Sequence, residues 1–192
     1  MPLIKLYFSP ALVLLMVSCL LWQHGKSLTI PRKHLTHQCV LDAAKLLKNI
    51  TNVLSKDELF RGINCTTQSV ELSTTTNTAF LCSPKGLTCS EIPKSEFDRE
   101  SCLTNIEEDL RQYYKFLATH PEPTLLIELR QFMEDCFPWS LFSELPSAQA
   151  AAVRDSTFNE RQRLCKVLKG FHVRTITINR AFAYINSFEH NK

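Results

Sequence analysis

The chain has 192 residues, 44% hydrophobic and 21% charged, which fits one ordinary globular domain or two small ones and excludes a disordered or collagenous chain. A formal net charge of +3 is too small to argue for nucleic acid by itself. Only four glycines are present and no repeat is visible, whereas strand-and-turn architectures usually need more glycine, so the composition points to an all-α domain.

Lys5 is the sole charged residue before His24, and Leu6 to Trp22 is apolar apart from Ser9, Pro10 and Ser18. A basic start, an apolar run and then polar residues with Gly25 and Ser27 read as a secretory signal peptide over residues 1–26, followed by one domain over 27–192. The alternative is a single membrane anchor, but the run is about 17 residues and is broken by Pro10, at the short edge of what spans a bilayer. Export places the remaining cysteines, Cys39, Cys65, Cys82, Cys89, Cys102, Cys136 and Cys165, in an oxidising compartment, where they should form disulfides. None has CxxC spacing, and their number is odd, so one thiol stays free or joins another chain. Two glycosylation sequons agree with export, Asn49-Ile50-Thr51 and Asn64-Cys65-Thr66. The first falls in an expected helix, and the second contains a cysteine expected to pair, so that disulfide formation and glycan addition are rival expectations there.

Seven prolines, Pro31, Pro84, Pro93, Pro121, Pro123, Pro138 and Pro146, fall outside four segments of helical periodicity. The first helix is expected at about 39–55, with Val40, Ala43, Leu47, Ile50 and Leu54 as its stripe. The stretch Thr66 to Thr78, rich in Thr, Ser and Asn, is expected to be a mobile part of the following connection. The second helix is expected at about 101–119, on Leu103, Ile106, Leu110, Tyr113 and Leu117, with Thr104 and Glu107 as a capping box. The third is expected at about 124–137, on Leu125, Leu129, Phe132 and Cys136. The fourth is expected at about 157–188, opened by a Thr157–Glu160 capping box and striped by Leu164, Leu168, Phe171, Ile178, Phe182 and Ile185. Val173 to Ile178 is β-branched enough to read locally as a strand, but the periodicity on both sides favours helix.

A connection of about six residues makes the second and third helices antiparallel neighbours. The other two, of about 45 and 20 residues, are long enough to cross over helices about 30 Å long. The expected fold is an all-α, up-up-down-down four-helix bundle with two long crossovers, stabilised by disulfides.

Catalytic signatures are missing from the sequence: no GxSxG, HExxH, phosphate-cradling loop or dinucleotide fingerprint occurs. His34, His37 and Cys39 lie close enough to suggest metal ligands, yet a solvated segment beside a disulfide explains them better. Glu107, Glu108 and Asp109 form an acidic run that helical spacing should leave mostly in solvent. The reading is therefore not an enzyme, with no cofactor and no metal. The fourth helix carries Arg161, Arg163, Lys166, Lys169, Arg174 and Arg180, either as a solvated face or as a surface matched to an acidic partner. Thr177, Arg180 and Tyr184 share one helical face and have the residue mix of interface hot spots.

The run Leu164 to Asn186, with Cys165, Phe171, Arg174, Thr177, Arg180 and Tyr184 in place, resembles the last helix of the alpha chains of the interleukin-12 family, long-chain four-helix cytokines. The run Ser101-Cys102-Leu103-Thr104-Asn105-Ile106-Glu107-Glu108-Asp109-Leu110 resembles that family's second helix. The resemblance implies a secreted cytokine subunit joined by a disulfide to a receptor-like beta subunit and engaging a cell-surface cytokine receptor in an immune response. It implies that Arg180 enters an acidic pocket of the beta subunit, with Thr177, Tyr184 and Arg174 around it, and that Phe158 faces the signalling receptor. Phe158 has a second reading as a helix-start staple packed on the bundle.

The resemblance and the expected topology together allow Cys39–Cys136, Cys65–Cys165 and Cys82–Cys102, with Cys89 left for the interchain bond. The family pairs its first-helix cysteine with one late in the first crossover. Cys39–Cys89 is therefore a rival that would leave Cys136 unpaired. A stand-alone cytokine, or one with a different beta chain, is the alternative reading; a secreted disulfide-rich helical enzyme or lipid carrier is the other class.

Overall fold

The computed structural model describes residues 35–72, 75–83, 97–120, 122–139 and 157–190. The expected signal segment, His34 and Cys89 lie outside them. The described residues form five α-helices and one 3-10 turn, with no strand: α1 (His37–Leu54), the turn (Cys65–Thr67), α2 (Thr78–Leu81), α3 (Arg99–Leu117), α4 (Pro123–Cys136) and α5 (Phe158–His190). Among them no helix is long and apolar enough to cross a membrane.

Side chains near the starts of α1, α3 and α5 explain where those helices begin. The Thr36 hydroxyl accepts from Cys39 N at 3.3 Å, satisfying one of the free amides at the start of α1. At α5, Thr157 N donates to Glu160 Oε2 at 2.7 Å and Glu160 N donates to Thr157 Oγ1 at 3.3 Å, the reciprocal box expected there. The box expected at Thr104 and Glu107 does not form. The helix is capped six positions earlier, where Asp98 accepts from Ser101 N at 3.1 Å, so Thr104 and Glu107 are interior helical positions. Pro123 is inside α4, at its first position, where a missing N–H costs nothing.

The buried positions of α3, α4 and α5 include every stripe residue expected for them. On α1 the buried face is Cys39, Ala43, Leu46, Ile50 and Val53, so the expected Val40–Leu47–Leu54 line sits at its margin. The reason is tertiary: α1 packs against both α5 and α4, and the face that meets two helices is broader than one sequence stripe.

Helix directions follow from cross-links. Along α1 and α4, Cys39 is bonded to Cys136, Asn49 donates to Glu128 at 2.6 Å, and Lys56 just past α1 pairs with Glu122 at 2.8 Å. The partner number falls as the α1 number rises, so the two run antiparallel. Asn179 of α5 donates to the Ala43 carbonyl at 2.9 Å, while Cys65, beyond the other end of α1, is bonded to Cys165. Thus α5 is also antiparallel to α1. Phe97 against Tyr184, Tyr113 against Phe171 at 4.4 Å, and Phe116 under Arg163 set α3 antiparallel to α5. A second aromatic group, Phe132, Phe137 and Phe182, fills the opposite part of the core.

The stretch expected to be mobile is tied down along most of its length. Lys169 Nζ donates to the carbonyls of Thr66, at 3.0 Å, and Gln68, and Glu71 N donates to the Lys166 carbonyl at 3.1 Å. Thr75 accepts from Gln112 at 2.5 Å and Asn77 N donates to Asn105 at 2.9 Å. Hydroxyls and amides that suggest solvation in sequence here bind the faces of α5 and α3. The approach is close enough to require glycine: a Cβ on Gly170 would lie 2.8 Å from the Glu71 carbonyl carbon and closer still to its oxygen.

Candidate functional site

Helical spacing puts Thr177, Arg180 and Tyr184 on one face of α5. Arg180 is exposed and has no side-chain partner among the described residues. Thr177 and Tyr184 are half-buried beside it. The Tyr184 ring is braced edge-on by Phe97, with centroids 5.0 Å apart at 81°, so the entry to α3 holds one wall of the face. A guanidinium so placed offers a rigid fork of donors and sheds water more readily than an ammonium, which suits it to a carboxylate-lined recess.

The remaining cations of α5 are largely used within the chain. Lys169 holds the crossover, Arg161 Nε donates to the Arg61 carbonyl at 3.1 Å, and Arg163 lies 5.8 Å over the Phe116 ring. Arg174, expected beside Arg180 on the binding face, is a correction: it is 6% exposed, and its Nε lies 3.0 Å from Asp109 Oδ2. The two arginines are six positions apart, and Arg174 falls on the inward side of the helix, towards α3.

Asp109 is the second correction. It is fully buried, whereas the acidic run was expected to face water. Its oxygens accept from Thr76 Oγ1 at 2.6 Å and Thr78 Oγ1 at 2.5 Å besides facing Arg174, so the crossover, α3 and α5 meet at one carboxylate. Burial pushes this carboxyl above its ordinary range, against the pull of Thr76, Thr78 and Arg174. Of its neighbours in the run, Glu107 is half-buried between Arg111 at 2.9 Å and the Trp139 indole at 3.1 Å, and Glu108 is exposed. A signal was present in the sequence. Cys102, Ile106, Asp109 and Tyr113 recur at steps of four, three and four, which puts the aspartate in apolar register.

Phe158, the first residue of α5, is 52% exposed, so no staple buries it. Disulfides join Cys39 to Cys136, Cys65 to Cys165 and Cys82 to Cys102. With Cys39 bonded, it cannot ligate a metal with His37, and the described residues hold no cluster of three or more metal-ligating side chains. Asn49 lies half-buried at the seam of α1 and α4, and Asn64 is exposed at the start of the 3-10 turn.

No protein-family model matches the chain. Its sequence is similar to interleukin-12 subunit alpha of the dog, Canis lupus familiaris, and of the cat, Felis catus. Each is 25% identical over 183 residues, spanning 78% of this chain and 82% of the relative. This distant likeness indicates a cytokine-type relationship.

Proposed function

We propose that this chain is the alpha-type subunit of a secreted two-chain cytokine of the interleukin-12 kind, and that it acts by presenting surfaces to other proteins. In this reading α1, α3, α4 and α5 form an up-up-down-down four-helix bundle. The antiparallel pairings of α1 with α4 and with α5, and of α3 with α5, support that arrangement. The connections through α2 and between α4 and α5 are the two crossovers.

The observation that carries the reading is Arg180: an exposed guanidinium between a threonine and a braced tyrosine, on a helix whose other cations mostly serve the fold. Its partner is a receptor-like beta-type subunit with an acidic recess, and Thr177 and Tyr184 form the rim of the contact. Phe158 is the contact for a signalling receptor. It precedes Arg180 by 22 positions of one helix, about 33 Å at the α-helical rise, so both surfaces can be occupied at once. With six cysteines paired and Cys19 removed with the signal segment, Cys89 is the thiol for an interchain bond.

Co-expression with candidate beta-type subunits, followed by co-immunoprecipitation, tests the pairing. Arg180→Ala should weaken association by about 2–4 kcal/mol, roughly 30- to 1000-fold, the range for a central arginine hot spot. Association unchanged by Arg180→Ala would remove the proposed site. On non-reducing gels Cys89→Ser should abolish the covalent pair. Good secretion of the chain alone, with no partner captured, would favour a cytokine that signals unaccompanied.

A further inference from the structure

We infer that Asn64 carries an N-linked glycan in the exported chain and that Asn49 does not. The inference rests on the proposed export of the chain and on the different surroundings of the two sequons.

Asn64 stands between α1 and the crossover, in a stretch that turns at Gly62 with a φ of +79°. It is exposed, and its Oδ1 accepts from Thr66 N at 3.0 Å and Thr66 Oγ1 at 2.6 Å. The sequon thus closes on itself in an Asx turn that uses the acceptor oxygen. The Nδ2, the atom that would bear the sugar, has no partner among the described residues. Thr66 is exposed as well, so a glycan here parts no packed helices.

Asn49 is placed otherwise. It lies in the C-terminal half of α1, and its Nδ2 donates to Glu128 Oε2 of α4 at 2.6 Å. Around it the seam is lined by Lys45, Leu46, Glu128 and Phe132. The same pair of helices is fastened by Cys39–Cys136 at one end and Lys56–Glu122 at the other. Glycan transfer precedes folding, so the seam acts as a filter. A chain modified at Asn49 can close α1 on α4 only by displacing the Glu128 contact and wedging a sugar between them.

The cysteine inside the Asn64 sequon does not pre-empt the transfer. Its partner, Cys165, follows it by 100 residues, so it is synthesised well after Asn64 and the native bond forms later. The co-reactant is an oligosaccharide on a lipid diphosphate. The sugar C1–O bond to the diphosphate breaks as the Nδ2–C1 bond forms, the lipid diphosphate departs, and one Nδ2 proton passes to base.

The test is expression of the full chain in animal cells, with peptide-N-glycosidase treatment in heavy-oxygen water and peptide mass mapping. The secreted protein should lose one glycan on treatment and carry the heavy-oxygen aspartate only at Asn64. Asn64→Gln and Thr66→Ala should each abolish the mobility shift, and Asn49→Gln should leave it unchanged. Cys165→Ser should leave Asn64 occupancy in the cell lysate unchanged; a rise would show that disulfide formation does compete, and would overturn the ordering argued here. Secreted protein with no shift, or with the label at Asn49, would overturn the inference while leaving export intact. An unglycosylated chain retained in the cell would overturn export and the inference with it.

Discussion

Replacing Arg174 with methionine should destabilise the protein by about 3–5 kcal/mol at neutral pH, because it strands a buried carboxylate. The magnitude follows from the surroundings. Arg174 and Asp109 have side-chain exposures of 7% and 0%, and among the described residues the carboxylate is otherwise met by the Thr76 and Thr78 hydroxyls. Methionine nearly preserves the arginine stem, so the loss is electrostatic more than steric. The pH dependence makes the test sharper. The folded-state value of Asp109 is raised, so its favourable contribution is complete below the ordinary value of 3.8 and is lost as pH rises through the folded value. Without Arg174, one of the interactions that lower this value is gone and it rises further. The penalty of Arg174→Met should therefore shrink as pH falls from 7 into the acid range, because protonation of Asp109 relieves the stranded charge. Urea denaturation of the disulfide-intact proteins, followed by circular dichroism across that range, measures it. Arg180→Met is the control and should stay within about 0.5 kcal/mol of wild type, as surface changes do. A penalty below about 1 kcal/mol, or one that does not vary with pH, would refute the account of Asp109 as a charged junction.

Gly170→Ala should cost about 1–3 kcal/mol, since the new methyl displaces the Glu71 carbonyl, and limited proteolysis should then cut the 66–72 segment faster. Replacing both Cys65 and Cys165 by alanine should cost about 4–5 kcal/mol in the chain-entropy model, because the closed loop spans 100 residues; removing Cys82–Cys102, with a span of 20, should cost about 3 kcal/mol, and melting of the two variants compares them. Thr157→Ala should fray the first turn of α5 and raise the acid range over which Glu160 titrates, since the Thr157 backbone and hydroxyl hold that carboxyl low; NMR titration reads the change directly.

Much of the helical layout is legible in the sequence because periodic apolar residues, prolines and caps act locally. Leu103, Ile106, Leu110, Tyr113 and Leu117 are all buried where a 3.6-residue repeat puts them, and Thr157 caps α5 through residues three positions away. What was misread depends on distant chain. Asp109 looks solvated until Thr76, Thr78 and Arg174 converge on it from 31 to 65 positions away. The Thr-rich crossover looks mobile until Lys169 and Gly170 supply a donor and a gap for it. Arg174 and Arg180 look alike in sequence, and only the position of α3 separates a core ion pair from a surface group. Thr177, Arg180 and Tyr184 were legible as one face, but the bracing of Tyr184 by Phe97 was not, since no local rule joins residues 87 positions apart.

These dependencies bear on how α5 would present Arg180 to the partner proposed above. A binding side chain on a mobile element must be ordered when a partner arrives, at about 0.5–1.5 kcal/mol for each rotamer-rich side chain held still. Here the backbone under Arg180 is fixed on its inner side by Ile178, Ala181 and Phe182, which are fully buried, and by the Asn179 bond to Ala43. Tyr184 is already braced. The ordering cost left for binding is therefore mainly that of the guanidinium arm. It follows that Phe97→Ala, which removes the ring packed on Tyr184, should weaken association with the proposed partner several-fold with little change in melting temperature, because Phe97 is only half-buried. Binding kinetics of that variant, set beside Arg180→Ala, measure how much of the interface was built in before the partner arrived. Equal affinity for Phe97→Ala and the parent chain would mean that the tyrosine wall contributes no preorganisation.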